Sequence, residues 1–161
     1  MQNYKYMQIA IEEARQGMEA DHGGPFGAVV VLNGVVIGRG HNRVLADADP
    51  TQHGEIAAIR DAYKNICSTL SKEDQLRPLT GAVLYTTCYP CPMCLGACLW
   101  SGISKIYYGC PSKDAAEIGF DDTVFYEYLK LGDKADHILS QDKDYYENCK
   151  KLFEDYNGSI Y

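Results

Sequence analysis

The sequence predicts a three-layer α/β/α fold, a mixed five-stranded sheet with helices on both faces. Three observations point to it: a hairpin signal at Asn33-Gly34, a strand–helix–strand succession over 82–110, and amphipathic helical patterns before, between and after the strands. At 161 residues and 46% hydrophobic content the chain can build one core, read as a single domain over 1–161. No internal repeat, low-complexity run or linker divides it.

Met7, Ile11, Ala14 and Met18 recur at helical spacing until Asp21-His22-Gly23-Gly24-Pro25 breaks the pattern, which defines the first helix. Phe26 to Leu32 and Val35 to Gly40 are β-branched, apolar runs joined by Asn33-Gly34, a dipeptide that accepts the positive φ angles of a type I′ turn. They form an antiparallel hairpin. A second helix is expected to start near Asp49-Pro50-Thr51, with Asp49 as N-cap and Pro50 in the first turn, burying Ile56, Ile59 and Tyr63 and carrying His53 and Glu55 in its first two turns. After a polar loop at 68–78, Ala82 to Thr87 reads as a strand, Pro92 to Ser101 as a helix and Lys105 to Cys110 as a strand. A β-α-β unit of this kind makes parallel strands with a right-handed crossover. Thr123 to Leu131 follows as a helix, and Tyr145, Cys149, Leu152, Phe153 and Tyr156 mark an amphipathic last helix stopped by Asn157-Gly158.

The net charge of −7 and pI of about 5.0 argue against a grip on nucleic-acid phosphates and favour a small uncharged substrate. No apolar run approaches the ~18 residues a membrane span requires, so a soluble protein is expected. Seven cysteines, four of them within Cys88 to Cys98, are too crowded for a secreted disulfide framework and suit metal or redox chemistry in a reducing cytoplasm.

The decisive constellation is His53-Gly54-Glu55 followed by Pro90-Cys91-Pro92-Met93-Cys94. Each half begins a predicted helix, and two helix N-termini can face one point. Cys91 and Cys94 share a helix face, the N-terminal partial charge favours their thiolates, and His53 supplies a neutral nitrogen. These residues are expected to hold one Zn²⁺ per chain, and three ligands leave the fourth tetrahedral position open, the mark of a catalytic zinc. Glu55, beside the site but not a ligand, is the expected proton shuttle.

Competing readings of the cysteines are weaker. Cys88, Cys91, Cys94 and Cys98 have the spacing of an iron–sulfur half-motif, but Leu99 stands where proline would follow, and His53-Gly54-Glu55 would go unexplained. A thioredoxin-like pair at Cys91 and Cys94 leaves the same residues idle. A structural zinc domain would have four protein ligands and no need of Glu55. Cys67, Cys98, Cys110 and Cys149 are read as small buried hydrophobes without chemistry. Cys88 is surplus to a complete tetrahedron, and His22, His41 and His137 lack partners at ligand spacing and are read as solvated or capping.

H-x-E followed by P-C-x-x-C is the general signature of zinc nucleobase deaminases. On these residues, and on the order of helix, hairpin, ligand helix and β-α-β unit along nearly the whole chain, the protein resembles the cytidine-deaminase-like superfamily. Within it the chain is most similar to guanine deaminases, on Gly23-Gly24-Pro25-Phe26-Gly27-Ala28-Val29, on Asp49-Pro50-Thr51, and above all on Asp114-Ala115-Ala116-Glu117-Ile118-Gly119-Phe120-Asp121-Asp122. Transfer-RNA adenosine deaminases usually carry a more basic segment there.

The resemblance implies hydrolysis of guanine to xanthine and ammonia, with Asn42 bonding the purine, Phe26 walling its ring and Asp114 accepting from its N–H groups. It also implies a homodimer in which the C-terminal helix and tail, 142–161, reach a neighbouring chain, Tyr161 or Tyr156 capping the pocket. Two positions depart from the family: Tyr89 stands where glutamate precedes the Pro-Cys motif, and Gly54 replaces a common alanine. Tyr89 could reshape the pocket mouth, which keeps guanosine, cytosine, an amino-triazine or a transfer-RNA adenosine open as substrates.

Overall fold

The computed structural model describes residues 2–66, 77–131 and 139–158. Cys67, His137, Tyr161 and most of the loop at 68–78 lie outside these residues. Two compact units are present, Met1–Asp122 and Thr123–Tyr161.

The first unit opens with α1 (Gln2–Glu19). Its buried stripe is Tyr6, Ala10, Ala14 and Gly17, whereas Met18 is exposed, so the face is rotated from the one the larger apolar residues suggested. The reason is close approach: a Cβ at Gly27 of the first strand would collide with the α1 backbone at Ala10 and Ala14. Small residues therefore define the contact face. Asp21 in the left-handed region (φ 54) ends the helix, with His22 N–H bonding Gly17 O at 2.9 Å and Asp21 N–H bonding Met18 O at 3.1 Å.

Strands β1 (Gly27–Leu32) and β2 (Val35–His41) pair antiparallel about Asn33 (φ 51) and Gly34 (φ 79), the expected I′-type turn, with a register shift between Val30 and Val31. A short helix, α2 (Val44–Asp47), precedes α3 (Gly54–Ile66). The ligand helix thus starts later than Asp49: the Asp49 carboxylate instead accepts from Thr51 N–H at 2.8 Å and Thr51 Oγ1–H at 2.7 Å, so this acid closes a local turn. The α3 residues that are buried are Gly54, Glu55, Ala58, Ile59 and Ala62, while Ile56 and Tyr63 are half-buried.

Strand β3 (Val83–Cys88), helix α4 (Pro92–Trp100) and strand β4 (Lys105–Cys110) follow, and β3 and β4 pair parallel as predicted. The sheet order is β2-β1-β3-β4. It has four strands among the described residues rather than five, one for each of the apolar runs in the sequence. Ala28, Val30 and Leu84 face Ala58, Ile59, Ala62 and Cys98 on one side, and Val29, Val31 and Tyr85 face Tyr6 and Ala10 on the other. That alternation puts helices on both faces and builds the three layers.

On β2 a Cβ at Gly38 or Gly40 would collide with the α3 backbone at Ala58. Gly40→Ala is accordingly expected to cost about 1–3 kcal/mol through overpacking, a drop of roughly 2–12 °C in Tm for a chain of this size. A thermal melt unchanged from the parent would contradict this close packing. Helix α5 (Ser112–Glu117) completes the first unit. The second contains α6 (Thr123–Leu131) and α7 (Tyr146–Asp155), the latter laced by Lys150–Glu154 at 3.6 Å and Lys151–Asp155 at 3.2 Å.

Candidate active site

The ligands sit where two helices begin. His53 O accepts the Ala57 N–H at 2.9 Å at the head of α3, and Cys91 O accepts the Leu95 N–H at 2.9 Å at the head of α4. Both residues therefore occupy cap positions, and Cys94 follows within the first turn of α4. His53 Nδ1 lies 3.5 Å from Cys91 Sγ and 3.5 Å from Cys94 Sγ. Zinc–sulfur bonds of about 2.3 Å and zinc–nitrogen bonds of about 2.0 Å make tetrahedral S···N edges of about 3.5 Å, so the three donors fit zinc. Among the described residues they are the one group of three or more such side chains that could hold a metal ion.

The electrostatics agree. Left to each other, the sulfurs carry one negative charge between them: the Cys94 thiol and the His53 ring hold Cys91 down to about 4 despite its burial, while contact with Cys91, together with burial, pushes Cys94 up. A divalent cation deprotonates both. Cys88 and Cys98 are different. Burial pushes them up to about 11 and about 12, Cys98 lies in the apolar core, and Cys88 Sγ faces Pro111 O at 3.9 Å. Neither belongs to the metal group, which removes the four-cysteine reading. Cys110 and Cys149, expected to be buried, are exposed. Cys110 lies on β4, the edge strand of the sheet, which explains its exposure.

Glu55 is buried in the first turn of α3, and its Oε1 accepts the Thr86 hydroxyl at 2.9 Å. Thr86 is itself buried, on β3. Burial raises the Glu55 carboxyl above its usual range, against the pull of the Thr86 bond. A carboxyl so fixed, two residues from a ligand, can both take and return a proton.

Around these groups stand Phe26 and Asn42. Phe26 O accepts the Asn42 N–H at 2.9 Å. A Cβ at Gly54 would lie 3.0 Å from that same carbonyl, so Phe26 adjoins the head of the ligand helix and the departure from alanine leaves it slightly more room. The Asn42 Oδ1 accepts from Gly24 N–H and Val44 N–H, both at 3.2 Å. With its oxygen committed, Asn42 presents its NH₂ as a donor.

Asp114 lies half-buried in the first turn of α5. Further along the same segment Asp122 is the acid that, with Glu55, interacts by charge with His53 and Cys91, its carboxyl raised chiefly by burial and then by Cys91. Its placement follows from a helix stop: Gly119 (φ 100) donates to Ala116 O at 3.0 Å and Phe120 N–H to Ala115 O at 3.0 Å, turning the chain back. Phe120 then meets Phe26 edge to face at 5.0 Å. The glycine, the aromatic and the following acids were visible in the sequence as a helix stop, a signal that could have singled out Asp122. Tyr89 packs its ring edge-on against Tyr108 at 5.1 Å. Tyr161 lies outside the described residues.

Comparison with known proteins agrees with this geometry. Guanine deaminase of Bacillus subtilis is 42% identical over 129 residues, covering 80% of this chain and 78% of that protein. A transfer-RNA-specific adenosine deaminase of Agrobacterium fabrum is 43% identical over 116 residues, 71% of this chain and 70% of its own. The X-ray structure of the Bacillus subtilis guanine deaminase superposes with a TM-score of 0.81 at 33% identity, covering 98% of this chain and 97% of that one. A guanine deaminase structure from Nitrosomonas europaea gives 0.64 at 33% identity, over 73% and 63% of the two chains. Residues 1–110 match the cytidine and deoxycytidylate deaminase zinc-binding region, and the chain belongs to that family of zinc-dependent deaminases.

Proposed function

We propose that the protein hydrolyses guanine to xanthine and ammonia. The observation that carries this reading is the metal group of His53, Cys91 and Cys94 with the buried Glu55 beside it, in a chain whose segment from Asp114 to Asp122 resembles that of guanine deaminases. Guanine has acceptors at O6, N3 and N7, donors at N1 and the 2-amino group, and a flat face. Asn42 Nδ2 donates to an acceptor edge, Asp122 and Asp114 are the candidate acceptors for the N–H edge, and Phe26 walls the ring.

Bound zinc supplies a water made acidic, its pKa lowered from ~15.7 towards ~7. Glu55 takes the proton that water loses and returns it to the ring nitrogen as oxygen bonds C2, then takes the remaining proton from that oxygen and passes it to the amine, which leaves as ammonia as C2 becomes a carbonyl. Guanine and water in, xanthine and ammonia out, the atoms balance. Thr86 keeps the carboxyl aimed through both transfers.

The test is ammonia release from guanine, guanosine, adenine, cytosine, cytidine, an amino-triazine and an adenosine-containing RNA hairpin, with zinc counted per chain. Turnover of guanine alone is expected. A zinc-loaded protein that acts on cytosine or the hairpin and not on guanine would refute the substrate and leave the metal site standing.

The protein is further read as a cytoplasmic homodimer whose C-terminal segment 142–161 serves a neighbouring chain. Six free cysteines among the described residues support a reducing compartment, and the apolar Leu152 and Phe153 of α7 support a partner surface. No helix among the described residues is long and apolar enough to cross a membrane. A monomer in sedimentation, or an unaltered KM and kcat after deletion of 159–161, would count against the dimer or the tail.

A further inference from the structure

We propose that His22 and His41, read from sequence as solvated or capping residues, are positioning residues that hold the Asn42 amide in its substrate-facing orientation. This inference rests on the reading of Asn42 as a substrate ligand.

The two rings lie edge to edge, with centroids 5.1 Å apart and planes inclined by 25°, and His22 Nδ1 lies 2.9 Å from His41 Nε2. Arg43 Nη1 lies 3.2 Å from the same His22 nitrogen. A guanidinium only donates, so His22 Nδ1 is the acceptor and His41 Nε2 the second donor. On its other side His41 Nδ1 faces the Glu13 carboxylate at 3.4 Å, and its ring packs against α1, where a Cβ at Gly17 would come within 2.6 Å of it. Arg43 is tied in turn to Asp47 by two bonds, at 3.0 and 2.8 Å. The row Glu13, His41, His22, Arg43, Asp47 alternates acceptors and donors. A metal between the rings is disfavoured by the guanidinium on the nitrogen that would have to bind it.

This row joins the two loops that build the substrate side of the site. His22 O accepts from Leu45 N–H at 3.0 Å and Ala46 N–H at 3.1 Å, binding the 22–26 loop to the segment after β2. Gly23 and Gly24 follow His22, and Asn42 follows His41. A Cβ at Gly23 would collide with Asn42 Oδ1, and Gly24 N–H is one of the two donors that orient it. The ring pair therefore sets the separation of the loops across which Asn42 is held. Without it, Asn42 keeps its identity but loses its aim.

The experiment measures guanine turnover and zinc content for His22→Leu, His22→Asn, Asn42→Ala and the double variant His22→Leu/Asn42→Ala. Leucine fills the space without an acceptor, whereas the asparagine Oδ1 stands in for Nδ1. His22→Leu is expected to raise KM roughly 3- to 10-fold with kcat and zinc unchanged, the signature of lost binding equal in ground and transition states. His22→Asn should stay near the parent KM, and His22→Leu should add nothing in the Asn42→Ala background.

A parent-like KM for His22→Leu, an equal loss for His22→Asn, or an undiminished KM rise in the Asn42→Ala background would each overturn the proposal while leaving Asn42 as a substrate ligand. An Asn42→Ala chain with unchanged KM would overturn that ligand assignment and this inference together.

Discussion

A Glu55→Ala chain is expected to retain one zinc and to lose kcat by about 10²- to 10⁴-fold, the usual contribution of a positioned acid–base group. The argument is spatial. Glu55 is 5% exposed, and the three metal donors, His53, Cys91 and Cys94, do not include it. Its removal therefore strips the site of proton transfer without removing a ligand. Alanine also leaves the buried Thr86 hydroxyl without its acceptor, so Glu55→Gln is the cleaner partner variant, keeping an oxygen for Thr86. Both should fail alike in steady-state kinetics while metal analysis finds them loaded. A Glu55→Gln chain with parent kcat would remove Glu55 from the chemistry; loss of zinc in both would recast it as a support of the metal group.

Removing a ligand should give the opposite pattern. His53→Ala leaves two sulfurs at the head of α4 with no third donor, and zinc affinity should fall by more than about 100-fold, beyond the 10- to 100-fold typical of losing a ligand's hydrogen-bonded support. Activity should disappear with the metal and return in part only at high zinc. Cys88→Ala and Cys98→Ala should keep their zinc through dialysis, because neither sulfur is in the group. Metal content of the dialysed variants decides the matter: zinc retained by His53→Ala, or iron lost from Cys88→Ala, would dismantle the assignment.

The two outcomes separate functions that lie two residues apart on one helix. His53 comes just before α3, where a cap carbonyl starts the helix and the side chain is left to turn outward to the metal. Glu55 comes one step inside, where the side chain is enclosed by β3. A shift of the helix start by one residue would rotate both side chains by about 100° and take each from its place. The placement of the Asp49-Pro50-Thr51 turn ahead of the helix is thus part of the site's construction.

The sequence by itself determined the longer helices, the four strands and the chemistry at the metal, because these are local, while the short helices α2 and α5 carry too few residues to show a period. Asn33-Gly34 specifies its turn through positive φ angles, apolar runs specify strands, and donor spacings of two and three residues specify which ligands share a helix head. The tertiary structure decided what depends on distance between segments remote in the chain. It chose the small-residue face of α1 over the larger Met18, because glycine in β1 brings the two backbones together. It brought Asp122 within electrostatic reach of His53 and Cys91 by a helix stop at Gly119, and it joined His22 to His41 across 19 residues. Hydrophobicity and motif spacing record what each residue prefers nearby; they do not record which distant backbone arrives, and that arrival determines who faces the substrate.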